Sequence, residues 1–144
     1  MRNLFVALFL LLNLNLGASA QSVSPADETQ FHTVISDQLE AFKAGDGGLA
    51  YSFAAPTVQQ IFPNAETFMA MVQRGYPMVL HNQSYEFGAL GKDALGRPVQ
   101  QVRITGPDGE HYVAAYAMQQ QPDGSWKIVI DHAFGALEDL VAKN

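Results

Sequence analysis

The sequence contains no cysteine, few basic residues and no basic patch. Without cysteine the fold has no disulfides, so it depends on its hydrophobic core. Eight Lys and Arg residues stand against 14 Asp and Glu residues, and the formal net charge is −6. Apart from Arg2, the basic side chains are scattered from Lys43 to Lys143. This pattern excludes nucleic acid as a partner, because phosphate-backbone binding requires clustered positive charge.

Long hydrophobic runs are also scarce, and the one that stands out, residues 4–16, lies at the N-terminus. Met1-Arg2-Asn3 precedes it and Ala18-Ser19-Ala20 follows it, an arrangement typical of a secretory signal peptide with an A-x-A cleavage site. We therefore predict a signal peptide over residues 1–20 and a single exported α+β domain over residues 21–144. The mature domain is expected in the periplasm or outside the cell.

The alternative to cleavage is an N-terminal membrane anchor. The hydrophobic run is interrupted by Asn13 and Asn15 and stops at Gly17, whereas a spanning helix needs roughly 20 apolar residues. We therefore expect no membrane attachment after cleavage. Loss of Arg2 with the leader leaves seven basic and 14 acidic residues, a net charge of −7.

Helix signals dominate the first half of the mature chain. Ser24-Pro25-Ala26-Asp27 combines a capping hydroxyl, a proline suited to the first helical position and an acid in the first turn, and Gly45 provides a stop. These residues predict an amphipathic helix of about 20 residues. The following "DGGLAYSFAAPTVQQIFP" accommodates at most two short helices because of its prolines. Asn64 is placed to cap a third helix, which ends near Gly75.

Four strand-like segments follow, near residues 79–90, 97–105, 110–119 and 125–133. Pro107-Asp108-Gly109 and Pro122-Asp123-Gly124 separate the last three segments, and each triplet favours a three-residue hairpin loop. We predict an α+β fold in which the N-terminal helices pack on the concave face of a curled four-stranded antiparallel meander. A short C-terminal helix is a further candidate element.

The three-residue loops also predict the register of the strands. They place Ile128 opposite Met118, Ala114 opposite Val102 and Ile104 opposite Tyr112, which gives one coherent apolar face. Asp131 and His132 are neighbours in a strand and therefore point to opposite faces, so they form no catalytic pair.

Polar and aromatic side chains on this inner face are candidates to line a pocket. They are Tyr85, Gln100, Tyr112, Tyr116, Trp126 and His132. The alternative is a filled core whose tyrosine hydroxyls are hydrogen-bonded at the rim.

No metal site or other cofactor is predicted. The four histidines, His32, His81, His111 and His132, show no spacing that brings two ligands to one face beside an acid.

The opposite face of the sheet is more apolar than a solvated face should be. It carries Val99, Val113, Ala115, Ala117 and Val129. We expect a cover, either the same face of a second subunit in a homodimer or the C-terminal residues 134–141.

Three segments resemble a family of small exported bacterial proteins that is known only as a domain of unknown function. They are "QLEAFKAGD", "AYSFAAPTVQQIFPNAETFMAMVQRGY" and "YAMQQQPDGSWKI", and the resemblance covers roughly residues 28–130. The order of helices and strands is similar to the nuclear-transport-factor-2-like cone, also called SnoaL-like or cystatin-like. The resemblance implies this fold but no activity and no catalytic residues, because the fold hosts many unrelated functions.

We therefore expect an exported, non-enzymatic domain that binds a small apolar ligand or a protein partner. The alternative is a lyase or isomerase of the ketosteroid-isomerase type. That activity requires a base and an oxyanion donor, for which the sequence offers His132 with Tyr116 or Tyr85.

Mass spectrometry of the protein from its native compartment tests the export prediction. We expect an N-terminus at Gln21, because cleavage should follow Ala20. An intact N-terminus at Met1 would contradict it.

Overall fold

The computed structural model describes residues 23–129, in which five helices precede four strands. The predicted signal peptide, His132 and the C-terminal helix lie outside these residues. The helices are α1 (Pro25–Lys43), α2 (Gly47–Ser52), α3 (Pro56–Ile61), α4 (Ala65–Gly75) and α5 (Pro77–Leu80). The strands are β1 (Ser84–Lys92), β2 (Pro98–Thr105), β3 (His111–Gln120) and β4 (Trp126–Val129), and they form an antiparallel sheet in the order β1-β2-β3-β4. The predicted α+β class is confirmed.

The capping residues begin the helices where the sequence predicts. The Ser24 hydroxyl accepts a hydrogen bond from the Asp27 backbone N–H at 3.1 Å, and the Asp27 carboxylate accepts one from the Ser24 N–H at 3.3 Å. This reciprocal capping box satisfies two backbone donors that the helix leaves unpaired. Asn64 caps α4 by accepting a hydrogen bond from the Thr67 N–H at 2.9 Å.

The first strand begins later than predicted. The apolar residues after Pro77 form the short helix α5, and β1 starts only at Ser84, so the predicted start near residue 79 is wrong. The fixed φ of proline suits the first position of a helix, and the Asn82 side chain donates to the Val79 carbonyl at 3.1 Å just beyond the helix. As a helix, this segment still buries Val79 and Leu80 in the core.

The predicted strand register is confirmed. Ile128 lies opposite Met118, and the β2–β3 pairing sets Ala114 opposite Val102. Gly109 and Gly124 have φ values of 82° and 86°, in the left-handed region that the three-residue loops require.

The main core lies between the helices and the inner face of the sheet. The contributing side chains are fully or almost fully buried: Phe31, Ile35, Leu39 and Phe42 from α1, Phe68 and Val72 from α4, and Val102, Ile104, Met118 and Ile128 from the strands. Burial of large apolar side chains is the main favourable contribution to folding. It provides the stability that the chain cannot obtain from disulfides.

A second, smaller cluster lies on the outer face of the sheet. Ala117 and Val129 are buried there against Ala55, which belongs to the connection between α2 and α3. This connection pairs with β4, since the Ile128 N–H donates to the Phe53 carbonyl at 2.9 Å and the Ala55 N–H donates to the Ile128 carbonyl at 2.8 Å. Part of the outer face is therefore covered by the α2–α3 connection.

Two other apolar residues of the outer face, Val113 and Ala115, are only half-buried. The second subunit remains a predicted cover for them. The C-terminal residues, the other predicted cover, lie outside the described range.

A polar contact joins the start of α1 to the start of β4. The Trp126 Nε1–H donates to the Asp27 carboxylate at 3.3 Å, and the indole meets the Phe31 ring edge-on with 4.8 Å between centroids. Hydrogen bonds from Ser24, with a smaller contribution from Trp126, hold the pKa of Asp27 below its usual value of 3.8. The ionised Asp27 carboxylate therefore both caps the helix and anchors the indole.

The pH dependence of stability tests this double role. Because the folded-state pKa of Asp27 is lowered, its stabilising effect is complete above the unfolded value of 3.8 and is lost as the pH falls through the folded-state pKa. Asp27→Asn should therefore lower the urea midpoint at neutral pH, and the difference from wild type should shrink in acid. Fluorescence of Trp126, the only tryptophan, reports the unfolding. A difference independent of pH would contradict the assignment.

Candidate functional site

Five of the six predicted pocket residues lie in the described part of the chain, and they occupy different places on the sheet. Gln100 and Tyr116 are direct cross-strand neighbours in β2 and β3, and both are buried. Tyr85 and Tyr112 lie on either side of Ile104, in another row of the sheet. Trp126 lies at the start of β4. The structure therefore brings together Gln100 and Tyr116, while His132 lies outside the described residues.

Gln100 supports an irregularity in the edge strand β1. Between Phe87 and Leu90 the register with β2 shifts, so that Gly88 and Ala89 together oppose a single residue, which is a β-bulge. The Gln100 side-chain amide donates to the Gly88 carbonyl at 3.0 Å and to the Gln101 carbonyl at 2.9 Å. A bulge disrupts the backbone ladder, and the buried amide provides a replacement partner.

Tyr116 has a different environment. Its side chain is buried among the apolar residues of the core, and burial raises the pKa of its hydroxyl. The neutral phenol is suited to donate a hydrogen bond but not to act as a base. Within the described strands no Asp, Glu or His side chain shares the inner face with Tyr116.

The remaining predicted pocket residues have partners near the rim. The Tyr112 hydroxyl donates to the Asp108 carboxylate in the β2–β3 loop at 3.0 Å, and this hydrogen bond raises the pKa of Tyr112. The Tyr85 ring packs at 6.0 Å from the Phe87 ring, with the Lys43 ammonium 5.8 Å from the Tyr85 centroid. The Tyr112 hydrogen bond has the geometry of a tyrosine hydroxyl held at the rim of a filled core. A pocket role for each residue stays a prediction.

One histidine also packs near the inner sheet face. The His32 ring of α1 stacks on the Phe87 ring of β1 with 3.9 Å between centroids and 13° between planes. Its Nε2 is 3.9 Å from the carboxylate of Glu28, one helical turn earlier. Because the broad face of the ring covers Phe87, this contact is a packing interaction between α1 and the edge strand.

A surface groove that the sequence analysis missed runs along α4. It has a volume of about 650 Å³ and is open to solvent. The lining residues are Phe62, Thr67, Ala70, Met71, Arg74, Gly75 and Tyr76. Most of them are apolar, and Arg74 is the only charged side chain among them. Ile61, the chain neighbour of Phe62, is 65% exposed.

A small internal void lies behind the groove. It offers about 10 Å³, which is about enough for one water molecule. The lining residues are Gln38, Phe42, Phe68, Met71, Val72, Tyr76 and Val79. Met71 and Tyr76 line both spaces, so they form the wall between the groove and the void. Gln38 is buried, and its amide donates to the Ala50 carbonyl at 3.2 Å.

The model of a domain of unknown function, DUF4864, matches residues 24–131. The chain belongs to the DUF4864 family. This confirms the resemblance to a domain of unknown function, while the nuclear-transport-factor-2-like cone and export stay expectations. No curated protein and no solved structure matches the chain.

Membership of the DUF4864 family brings no catalytic residues to this chain. Within residues 23–129 there is no group of three or more His, Asp or Glu side chains placed to hold a metal ion. None of the helices in the same range combines the length and apolar character needed to cross a membrane.

Substitution of Gln100 tests its role at the bulge. Gln100→Ala should destabilise the fold by roughly 2–4 kcal/mol, because it leaves a cavity in the core and removes the hydrogen bonds to the Gly88 and Gln101 carbonyls. Gln101→Ala, on the exposed outer face, should change stability by less than about 0.5 kcal/mol. Urea unfolding measures both variants. Equal effects of the two substitutions would contradict the structural role.

Proposed function

We propose that this DUF4864 protein is an exported, non-catalytic module that binds a small apolar ligand in the groove along α4. The groove carries the proposal, because it is an open, mainly apolar depression of about 650 Å³ with a single charged group in its lining. Ligand sites are commonly of this size and combine apolar walls with a few polar groups that fix orientation.

The packing of the inner face argues against a ligand site inside the core. Val102, Ile104, Met118 and Ile128 are fully buried beneath the helices. A ligand among these side chains would have to displace core packing, which costs several kcal/mol per large side chain. The α4 groove requires no such displacement.

The distribution of ionisable groups favours binding over catalysis. An isomerase needs a base and an oxyanion donor within reach of the same substrate atom. Tyr116 is a neutral donor, but the described strands place no carboxylate or imidazole beside it on the inner face. The lyase or isomerase alternative therefore rests on His132.

Among the described residues, the α4 groove has one charged side chain but no pair of groups suited to acid–base catalysis. Arg74 is a permanent cation, and the Thr67 hydroxyl already donates to the Asn64 carbonyl at 3.0 Å. No acid and no histidine lines the groove among the described residues. An arginine among apolar side chains orients a ligand without abstracting a proton from it.

Binding of a neutral apolar fluorophore, N-phenyl-1-naphthylamine, tests the proposal. The wild type should bind it saturably, and Ala70→Phe should weaken binding by about tenfold or more because the larger ring fills the groove. Ala94→Phe, in the exposed β1–β2 turn, is the matched control and should bind like the wild type. Fluorescence titration measures the affinities. No binding to the wild type, or equal binding to the two variants, would overturn the proposal.

A further inference from the structure

We infer that the ligand of the α4 groove is an anionic amphiphile, whose head group pairs with Arg74 while its hydrocarbon chain lies against Met71 and Tyr76. This inference rests on the proposed function and adds the chemical class of the ligand to it. It depends on the positive charge of Arg74, which is unpaired among the described residues, and on the apolar side chains that line the rest of the groove.

Arg74 differs from the other arginines of the described residues. Arg97 pairs with Asp93 at 2.7 Å, and Arg103 lies 3.7 Å from Glu86. Arg74 is exposed and forms no ion pair within residues 23–129. In a chain with 14 acidic and eight basic residues, an arginine without an acidic partner is the less expected arrangement. Its guanidinium is left available for an external anion.

The helix dipole explains why a cation lies at the end of α4, but it does not explain where the Arg74 side chain lies. A cation in the last turn of a helix interacts favourably with the helix dipole. Lysine or arginine at any exposed position of that turn would provide this effect. The dipole does not explain why the side chain borders an apolar groove, where its five N–H donors match the oxygens of a carboxylate or phosphate.

The rest of the groove lining is suited to a hydrocarbon chain. Phe62, Ala70, Met71 and Tyr76 provide carbon surface without a charge. Met71 is unbranched and adaptable, and it separates the groove from the internal void. A ligand with one charged end and one apolar end therefore fits both parts of the groove.

Displacement of the fluorophore by ligands with the same alkyl chain tests the inference. Decanoate and decyl phosphate should each displace the probe from the wild type with a dissociation constant about three- to tenfold lower than that of decanol, because only the anions pair with Arg74. The anion with the lower dissociation constant identifies the head group that binds Arg74 more strongly. The advantage over decanol should fall at high salt, since the arginine is exposed and its charge is screened.

Two variants that remove one positive charge each isolate the role of position 74. Arg74→Gln should abolish the advantage of the anions over decanol and leave decanol binding unchanged. Arg103→Gln, on the outer sheet face, should retain the full advantage, because it alters the net charge equally but lies outside the groove lining. Matching circular dichroism spectra would show that both variants are folded.

The outcomes separate this inference from the proposed function. If the anions and decanol bind the wild type equally well, or if Arg103→Gln changes selectivity as much as Arg74→Gln, the amphiphile inference fails while binding in the groove stands. If neither the probe nor any of the three ligands binds the wild type, the proposed function itself fails. Selective loss of anion binding in Arg74→Gln is the result that supports the inference.

Discussion

The rest of the structure depends on the burial of the inner sheet face beneath α1. Phe31, Ile35 and Leu39 of the helix are fully buried in one cluster with side chains of β2, β3 and β4. A four-stranded open sheet of this size needs such a cover, because one apolar face must be removed from water. The contact of Trp126 with Asp27 and Phe31 fixes the start of the helix to the start of β4. With α1 in this place, the space between the helix and the sheet is filled by these side chains.

The elements that sequence reasoning placed correctly are those specified by local signals. Ser24 and Asn64 determine the helix starts through their own hydrogen bonds, and Gly109 and Gly124 determine the hairpin loops through their backbone conformation. The β1 bulge follows from burial that only the structure shows. Phe87 and Leu90 are three residues apart and cannot share one face of a regular strand, so their common burial pattern requires an extra residue.

The candidate site was harder to predict because its residues gain their roles from tertiary neighbours. Gln100 was identified as an inner-face polar residue, but its partner is a carbonyl in the bulge of another strand. The α4 groove was missed because helical spacing sets Met71 and Tyr76 on one face with Phe68 and Val72, whereas the structure leaves Met71 and Tyr76 only half-buried. Phe62 joins them from outside the helix. Ala70 gave a faint signal, since it widens the apolar surface of α4 past this face.

The location of the groove also links ligand contact to the packing of the core. Tyr76 is the last residue around α4 and the first around α5, where it caps both helices. Its backbone N–H donates to the Val72 carbonyl at 2.8 Å, and its own carbonyl accepts the Val79 N–H at 3.0 Å. Val72 and Val79 in turn line the internal void together with Tyr76. In the proposed function, a hydrocarbon chain on Tyr76 would contact the residue that joins α4 to α5, and we propose that binding and the local stability of this connection are coupled.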